Sequence, residues 1–121
     1  MSQDRVIHWP ASTRGMLPTP MQLGTLCRDY ATGIGTVERA GDRWHIRLPG
    51  ECTAALRHLS ARAGRPFEPG EPRTIEVWTG VTGDRVVVYV TTRMQDDITN
   101  AIAEGLAAII ARHWRGEREA P

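Results

Sequence analysis

The feature that most constrains the fold of this chain is a turn signal that occurs twice. Gly41-Asp42-Arg43 and Gly83-Asp84-Arg85 each lie between two stretches of alternating apolar residues. A Gly-Asp pair in this setting is typical of a two-residue β-hairpin turn, because glycine adopts the positive φ that matches the twist of the flanking strands. A helical pattern of apolar residues follows each hairpin. The chain is therefore predicted to contain an internal repeat of two ββα units.

The first predicted hairpin, over residues 34–48, has an apolar side and a charged side. With Gly41-Asp42 as the turn, Ala40 lies opposite Arg43 and the register of the whole hairpin follows. Alternation then places on one side Val37, Trp44, Ile46 and Leu48. It places on the other side Glu38, Arg43, His45 and Arg47.

The second predicted hairpin, over residues 73–92, is apolar on both sides. With Gly83-Asp84 as the turn, Trp78 lies opposite Tyr89. The inner side then carries Ile75, Val77, Val86, Val88 and Val90. The outer side carries Trp78, Tyr89 and Val87, accompanied by Glu76 and Thr91. Because this outer side is rich in apolar surface, we expect either another part of the chain or a partner to cover it.

Three helices are predicted. Residues 19–22, Thr-Pro-Met-Gln, combine a capping hydroxyl, a proline at the first helical position and a glutamine three residues after the cap, so a helix is expected to begin here. A second helix contains Cys52 on its apolar stripe and ends at Gly64. A third helix spans residues 96–114, with acidic residues at its start and arginines at its end.

These elements predict the fold class α+β, as a two-layer sandwich in which the two ββα units form a four-stranded, mainly antiparallel sheet. Two helices are expected on one side of the sheet, and the N-terminal helix against an edge or the second face. A chain of 121 residues is long enough for one domain. We predict an N-terminal arm at 1–18, a single domain at 19–116 and a flexible C-terminal tail at 117–121.

Composition narrows the class of protein. The net charge is +1, with 15 basic and 14 acidic residues, which argues against a dedicated nucleic-acid arm or a polybasic membrane anchor. Every basic residue is arginine, a bias that GC-rich bacterial codons produce, so we expect a bacterial source. The sequence shows no secretory leader and no apolar run long enough to cross a membrane, so a soluble cytoplasmic protein is predicted. Cys27 and Cys52 are expected to be reduced.

The candidate site is the outer side of the sheet. Its predicted binding residues are Trp78, Tyr89, Val87, Arg43, His45 and Arg47. Three interpretations remain open: the helix at 20–31 or an arm containing Ile7 and Trp9 covers the aromatic residues, a second copy of the chain covers them, or they hold a ligand or peptide. No nucleotide-binding glycine motif is present, and the histidines lack the spacing of a metal site, so no cofactor or metal is expected.

The predicted function is a small non-enzymatic binding module, of adaptor or chaperone type, that dimerises or holds a protein partner through this patch. The alternative is single-stranded nucleic-acid binding, because Arg43 and Arg47 next to Trp78 and Tyr89 resemble a surface that holds phosphates and stacks bases. A third hypothesis is a cysteine-dependent enzyme. Its nucleophile would be Cys52, in the first turn of a predicted helix, with His45 or His58 as the base.

Overall fold

A computed structural model describes residues 3–9, 17–48, 73–83, 85–92 and 97–119. These residues form an antiparallel six-stranded sheet and two helices. The elements in chain order are β1 Gln3–Trp9, α1 Pro20–Ala31, β2 Thr36–Ala40, β3 Arg43–Leu48, β4 Arg73–Thr82, β5 Arg85–Thr92, α2 Asp97–His113 and β6 Glu117–Arg118. The strand order across the sheet is β2-β3-β4-β5-β1-β6. The α+β class is confirmed.

Both predicted hairpins are present in the predicted register. Gly41 and Gly83 have φ values of 64° and 66°, which favour glycine over any residue with a Cβ. Ala40 pairs with Arg43 across the first turn. In the second hairpin Trp78 pairs with Tyr89, as the turn position requires. The assignment of residues to the two sides of these four strands is therefore confirmed.

The start of α1 is also the one predicted from its capping residues. The Thr19 hydroxyl accepts a hydrogen bond from the backbone N–H of Gln22 at 3.1 Å, and the Gln22 side-chain oxygen accepts one from the Thr19 N–H at 2.9 Å. Pro20 occupies the first turn, where its missing N–H has no cost. This reciprocal capping box fixes the point at which the chain enters the helix.

The prediction of a four-stranded sheet is wrong, because the sheet has six strands. The two additional strands come from segments predicted as the N-terminal arm and the C-terminal tail. β1 pairs with β5 along its whole length, and β6 pairs with β1. Hydrophobic burial explains the docking of β1, since Ile7 is 0% and Trp9 1% exposed. The Trp9 indole N–H also donates to the Trp114 carbonyl at 2.8 Å.

The expected position of the N-terminal helix is correct only in part: the helix lies at an edge of the sheet, over β2, but not on the second face. α1 packs on β2 and β3, while α2 packs on β5, β1 and β4, and the apolar side chains they cover lie on one side of the sheet. We call this the inner face and the opposite side the outer face. α1 belongs to the inner layer because Trp44 packs against its backbone: a Cβ at Gly24 would lie 2.3 Å from the Trp44 ring. The helix predicted after Pro49 lies outside the described residues.

The core lies between the inner face and the two helices. Its fully buried side chains include Leu23, Ile46, Ile75, Val77, Val88, Val90, Leu106 and Ile110. Cys27 is also buried, and desolvation raises the pKa of its thiol to about 12, so it behaves as a small core residue. Within the described ranges, neither helix has the length and apolar character needed to cross a lipid bilayer.

Candidate functional site

The outer face carries a row of three side chains that contact one another across three strands. Arg43 on β3 pairs with Trp78 on β4, and Trp78 pairs with Tyr89 on β5. The two Gly-Asp turns position them, because a shift of either turn by one residue would move these side chains to the inner face. We call Arg43, Trp78 and Tyr89 the outer row.

The geometry of the outer row is that of a stacked assembly. The Trp78 and Tyr89 ring centroids are 5.0 Å apart with an interplanar angle of 21°. The Arg43 guanidinium carbon lies 4.1 Å from the Trp78 ring centroid, within the range of a cation–π contact. All three side chains are half-buried, so part of each is accessible to a partner.

A buried carboxylate holds the charged end of this row. The Glu76 side chain is 6% exposed, and its Oε2 accepts a hydrogen bond from Arg43 Nη1 at 2.9 Å. Its Oε1 lies 3.6 Å from His45 Nε2. Glu76 therefore restrains Arg43 over the Trp78 ring and neutralises part of the positive charge on this face.

The other predicted site residues differ in exposure. Arg47 is well exposed and forms a long ion pair with Glu38, whose Oε2 is 4.0 Å from Arg47 Nε. Val87, by contrast, is only 4% exposed. It lies opposite Gly80, where a Cβ would come within 3.0 Å of the Tyr89 ring, so the absence of a side chain at this position lets that ring lie flat. Val87 therefore offers little surface to a partner.

In the described ranges 3–9 and 17–31, neither of the proposed N-terminal covers lies over the outer row. α1 packs on the inner face, and Ile7 and Trp9 point into the core from β1. Cover by α1 or through Ile7 and Trp9, as the sequence led us to consider, is therefore wrong. Ile7 and Trp9 cannot reach the outer row because side chains alternate along β1. The alternation directs Ile7 and Trp9 inward and their neighbours Val6 and His8 outward.

Sequence reasoning missed the contribution of β1 to the outer face. Val6 pairs with Tyr89 and so extends the outer row onto a fourth strand. His8 lies opposite Val87, and its Nε2 is 3.2 Å from Glu117 Oε2 on β6. The available signal was the alternation of residues 5–9, which is short and has no turn linking it to a neighbouring strand.

The hypothesis of a cysteine-dependent enzyme remains a prediction, because its main residues are not among those that the structure describes. Cys52 and His58 lie outside the described residues, and the raised pKa of Cys27 makes that thiol a poor nucleophile. The described ranges contain no cluster of three or more His, Cys, Asp or Glu side chains suited to a metal ion.

Comparison with known proteins adds no functional information, since no family model, no curated protein and no solved structure matches this chain.

Proposed function

We propose that this protein is a small non-enzymatic binding domain, of adaptor or chaperone type, that docks onto a protein through the outer face, first of all onto a second copy of itself. The observation that carries the proposal is the outer row of Arg43, Trp78 and Tyr89. Tryptophan, tyrosine and arginine are the residue types most enriched at the energetic centres of protein interfaces.

The stacking within the row lowers the cost of binding. Ordering a free side chain at an interface costs about 0.5–1.5 kcal/mol. Arg43 and Trp78 are already restrained, by Glu76 and Tyr89 respectively. A partner that covers the remaining exposed ring surface gains on the order of 25 cal/mol per Å² of apolar area without ordering these groups anew.

The charge distribution favours a second copy as the partner. Both signs occur on the outer face, with Arg47 against Glu38 and Glu117, and the net charge of the chain is +1. A two-fold interface brings the same surface together from both subunits, so a face of mixed charge can complement itself. A chain this close to neutrality has little long-range repulsion between copies.

Single-stranded nucleic-acid binding is the second candidate, and the Trp78–Tyr89 stack is the observation that favours it. The ion pairs of this face count against it, since Arg43 is bonded to Glu76 and Arg47 lies near Glu38. Binding through phosphates falls steeply with salt. If this candidate is correct, affinity for an oligothymidylate decreases strongly between low and physiological salt. An affinity that does not change with salt contradicts it.

Light scattering at a series of protein concentrations tests the proposed homodimer. We expect a mass that rises from 13.4 kDa toward twice that value. Trp78→Ala removes one anchor from each subunit, so the dissociation constant is expected to rise by a factor on the order of 100 or more. Val81→Ala is the matched control: Val81 is on the same strand, more exposed at 73%, but on the side of Val77.

Two results would contradict the homodimer. One is a wild-type protein that remains monomeric at every concentration. The other is a dimer that Val81→Ala weakens as much as Trp78→Ala does. Circular dichroism spectra of both variants are compared with that of the wild type, so that a lower mass is attributed to dissociation only where the fold is intact.

A further inference from the structure

A groove lies on the helical layer, between α1 and the C-terminal end of α2, on the opposite side of the molecule from the outer row. Its volume is about 390 Å³. Sites for small molecules occupy roughly 300–1,000 Å³ and are mostly apolar with a few placed polar groups. The side chains that matter here are apolar Met21, Leu26 and Trp114 and polar Thr25, Asp29 and His113.

A close helix contact fixes the two walls of the groove relative to each other. The Tyr30 hydroxyl on α1 donates a hydrogen bond to the Ile102 carbonyl on α2 at 2.7 Å. Gly105 makes room for this contact, since a Cβ there would lie 2.6 Å from the Tyr30 oxygen. The groove is thus formed by elements locked together at one point, so it does not depend on a ligand to assemble it.

The apolar lining of the groove combines the exposed Met21 with Leu26 and Trp114, which are partly buried against the core. Met21 is 79% exposed, and the structure buries Leu23 and Cys27 of the same helix instead. Methionine is a polarizable side chain that adapts to the shape of a ligand. The Trp114 ring meets the His113 ring edge-on at a centroid distance of 4.7 Å, which fixes its orientation at the end of α2.

Among the described residues, the formal charge that lines the groove is negative. Asp29 is the acidic residue among its lining side chains, and none of the arginines in the described ranges lines it. The neighbouring Arg28 is held elsewhere, with its guanidinium 5.0 Å from the Trp44 ring centroid. The C-terminal end of α2 adds the partial negative charge of a helix terminus. His113 also lines the groove, next to Trp114.

From this arrangement we propose that the groove binds a small organic cation, with its apolar body against Met21, Leu26 and Trp114 and its ammonium group near the Asp29 carboxylate. Cation–π attraction to the tryptophan ring adds to the carboxylate contact. The proposal is independent of the proposed dimer, because its residues lie on the helical layer rather than the outer face.

Titration of ¹⁵N-labelled protein with three probes tests this site at pH 7.5 and low salt. The probes are 2-phenylethylammonium chloride, the uncharged 2-phenylethanol and sodium 3-phenylpropionate, which share a ring and differ in charge. We expect the cation to shift the amide resonances of residues 21–29 and 113–114, and to bind about threefold to fivefold more tightly than the alcohol, with the anion weakest. Cation and anion binding with equal affinity, or shifts located elsewhere, would overturn the proposal.

Two substitutions test separately the contribution of the Asp29 charge and that of the space in the groove. Asp29→Asn is expected to reduce the affinity for the cation to that for the alcohol, whereas Glu119→Gln, which removes an exposed acid elsewhere, leaves it unchanged. Thr25→Trp fills the groove from the exposed side of α1 and is expected to abolish binding of every probe while the other resonances stay in place. Undiminished cation binding by either Asp29→Asn or Thr25→Trp contradicts the site.

Discussion

The two faces of the sheet are built by alternate residues of the same strands, yet they are completed in different ways. On the inner face Ile75 and Val77 are 0% exposed beneath the two helices. On the outer face Glu76 and Trp78 belong to a cluster of rings and ion pairs. The inner face therefore gains its stability from apolar contact with the chain itself, whereas the outer row leaves ring surface that a partner can bury.

The largest effect is expected from a truncation on the inner face. Ile75→Ala removes buried methyl groups beneath the helical layer and leaves a cavity, so the free energy of unfolding should fall by about 2–5 kcal/mol. Urea denaturation monitored by circular dichroism measures this. A loss below about 1 kcal/mol would show that the inner face tolerates truncation as well as the outer face does, and would contradict the difference between the two faces.

A smaller effect is expected where α1 approaches the inner face. At Gly24 an added methyl group collides with the Trp44 ring, whose indole N–H is bonded to the Pro20 carbonyl at 3.1 Å. Gly24→Ala should therefore lower the free energy of unfolding by about 1–3 kcal/mol, although alanine is the better helix former.

Thr25→Ala is the control for this contact, since Thr25 is the exposed neighbour on the same helix. Its free energy of unfolding should stay within about 0.5 kcal/mol of the wild-type value. If Gly24→Ala is stabilising, α1 does not depend on this close approach.

An effect of about 1 kcal/mol is expected at the charged margin of the inner face. Glu104 is 48% exposed and bonds the buried Arg5 at 2.7 Å and Arg118 at 2.8 Å. Desolvation raises the pKa of Glu104, but the hydrogen bonds and charges of Arg118 and Arg5 outweigh it and hold the pKa below 4.5. Because the folded-state pKa is lowered, this stabilisation is present above the ordinary glutamate pKa and is lost as pH falls through the folded-state value.

Glu104→Gln should thus lower the free energy of unfolding at pH 7, and its difference from wild type should shrink as the pH falls below 4.5. Denaturation at several pH values measures this. Glu119→Gln, at an exposed position, serves as the control. A difference that does not change with pH would mean that Glu104 acts through packing alone.

The smallest effect is expected on the outer face. Arg47 has a side chain that is 60% exposed, and its distance to Glu38 is at the limit for an ion pair. Arg47→Ala should change the free energy of unfolding by less than about 0.5 kcal/mol. Thermal denaturation of Arg47→Ala measures this change. A loss of stability comparable to that of Ile75→Ala would show that the outer face stabilises the fold as much as the inner face does.

The parts of the fold that the sequence predicts correctly are those specified by neighbouring residues. Gly41 and Gly83 each set a hairpin register, and Thr19 with Gln22 sets a helix start. These signals act over two to five residues, so local physical chemistry is enough to interpret them. The outer row could therefore be assigned to one face before the structure was known.

The strands β1 and β6 could not be predicted because their partners are distant in sequence. Ile7 pairs with Val88, and no turn residue indicates that the two segments meet. Their pairing is decided by burial of Ile7 and Trp9 in a core that the rest of the chain must first create. The groove beside Asp29 was missed for a related reason, since it depends on how α1 and α2 pack.

The most direct test of the central claim follows the indole N–H resonances of the four tryptophans as the protein is diluted. Trp9 and Trp44 donate to backbone carbonyls within the molecule, and Trp114 lies at the end of α2, so their resonances should stay constant. If the outer face is the dimer interface, the Trp78 resonance moves alone and follows the mass measured by light scattering. A dimer that dissociates while the Trp78 resonance stays fixed would contradict the account.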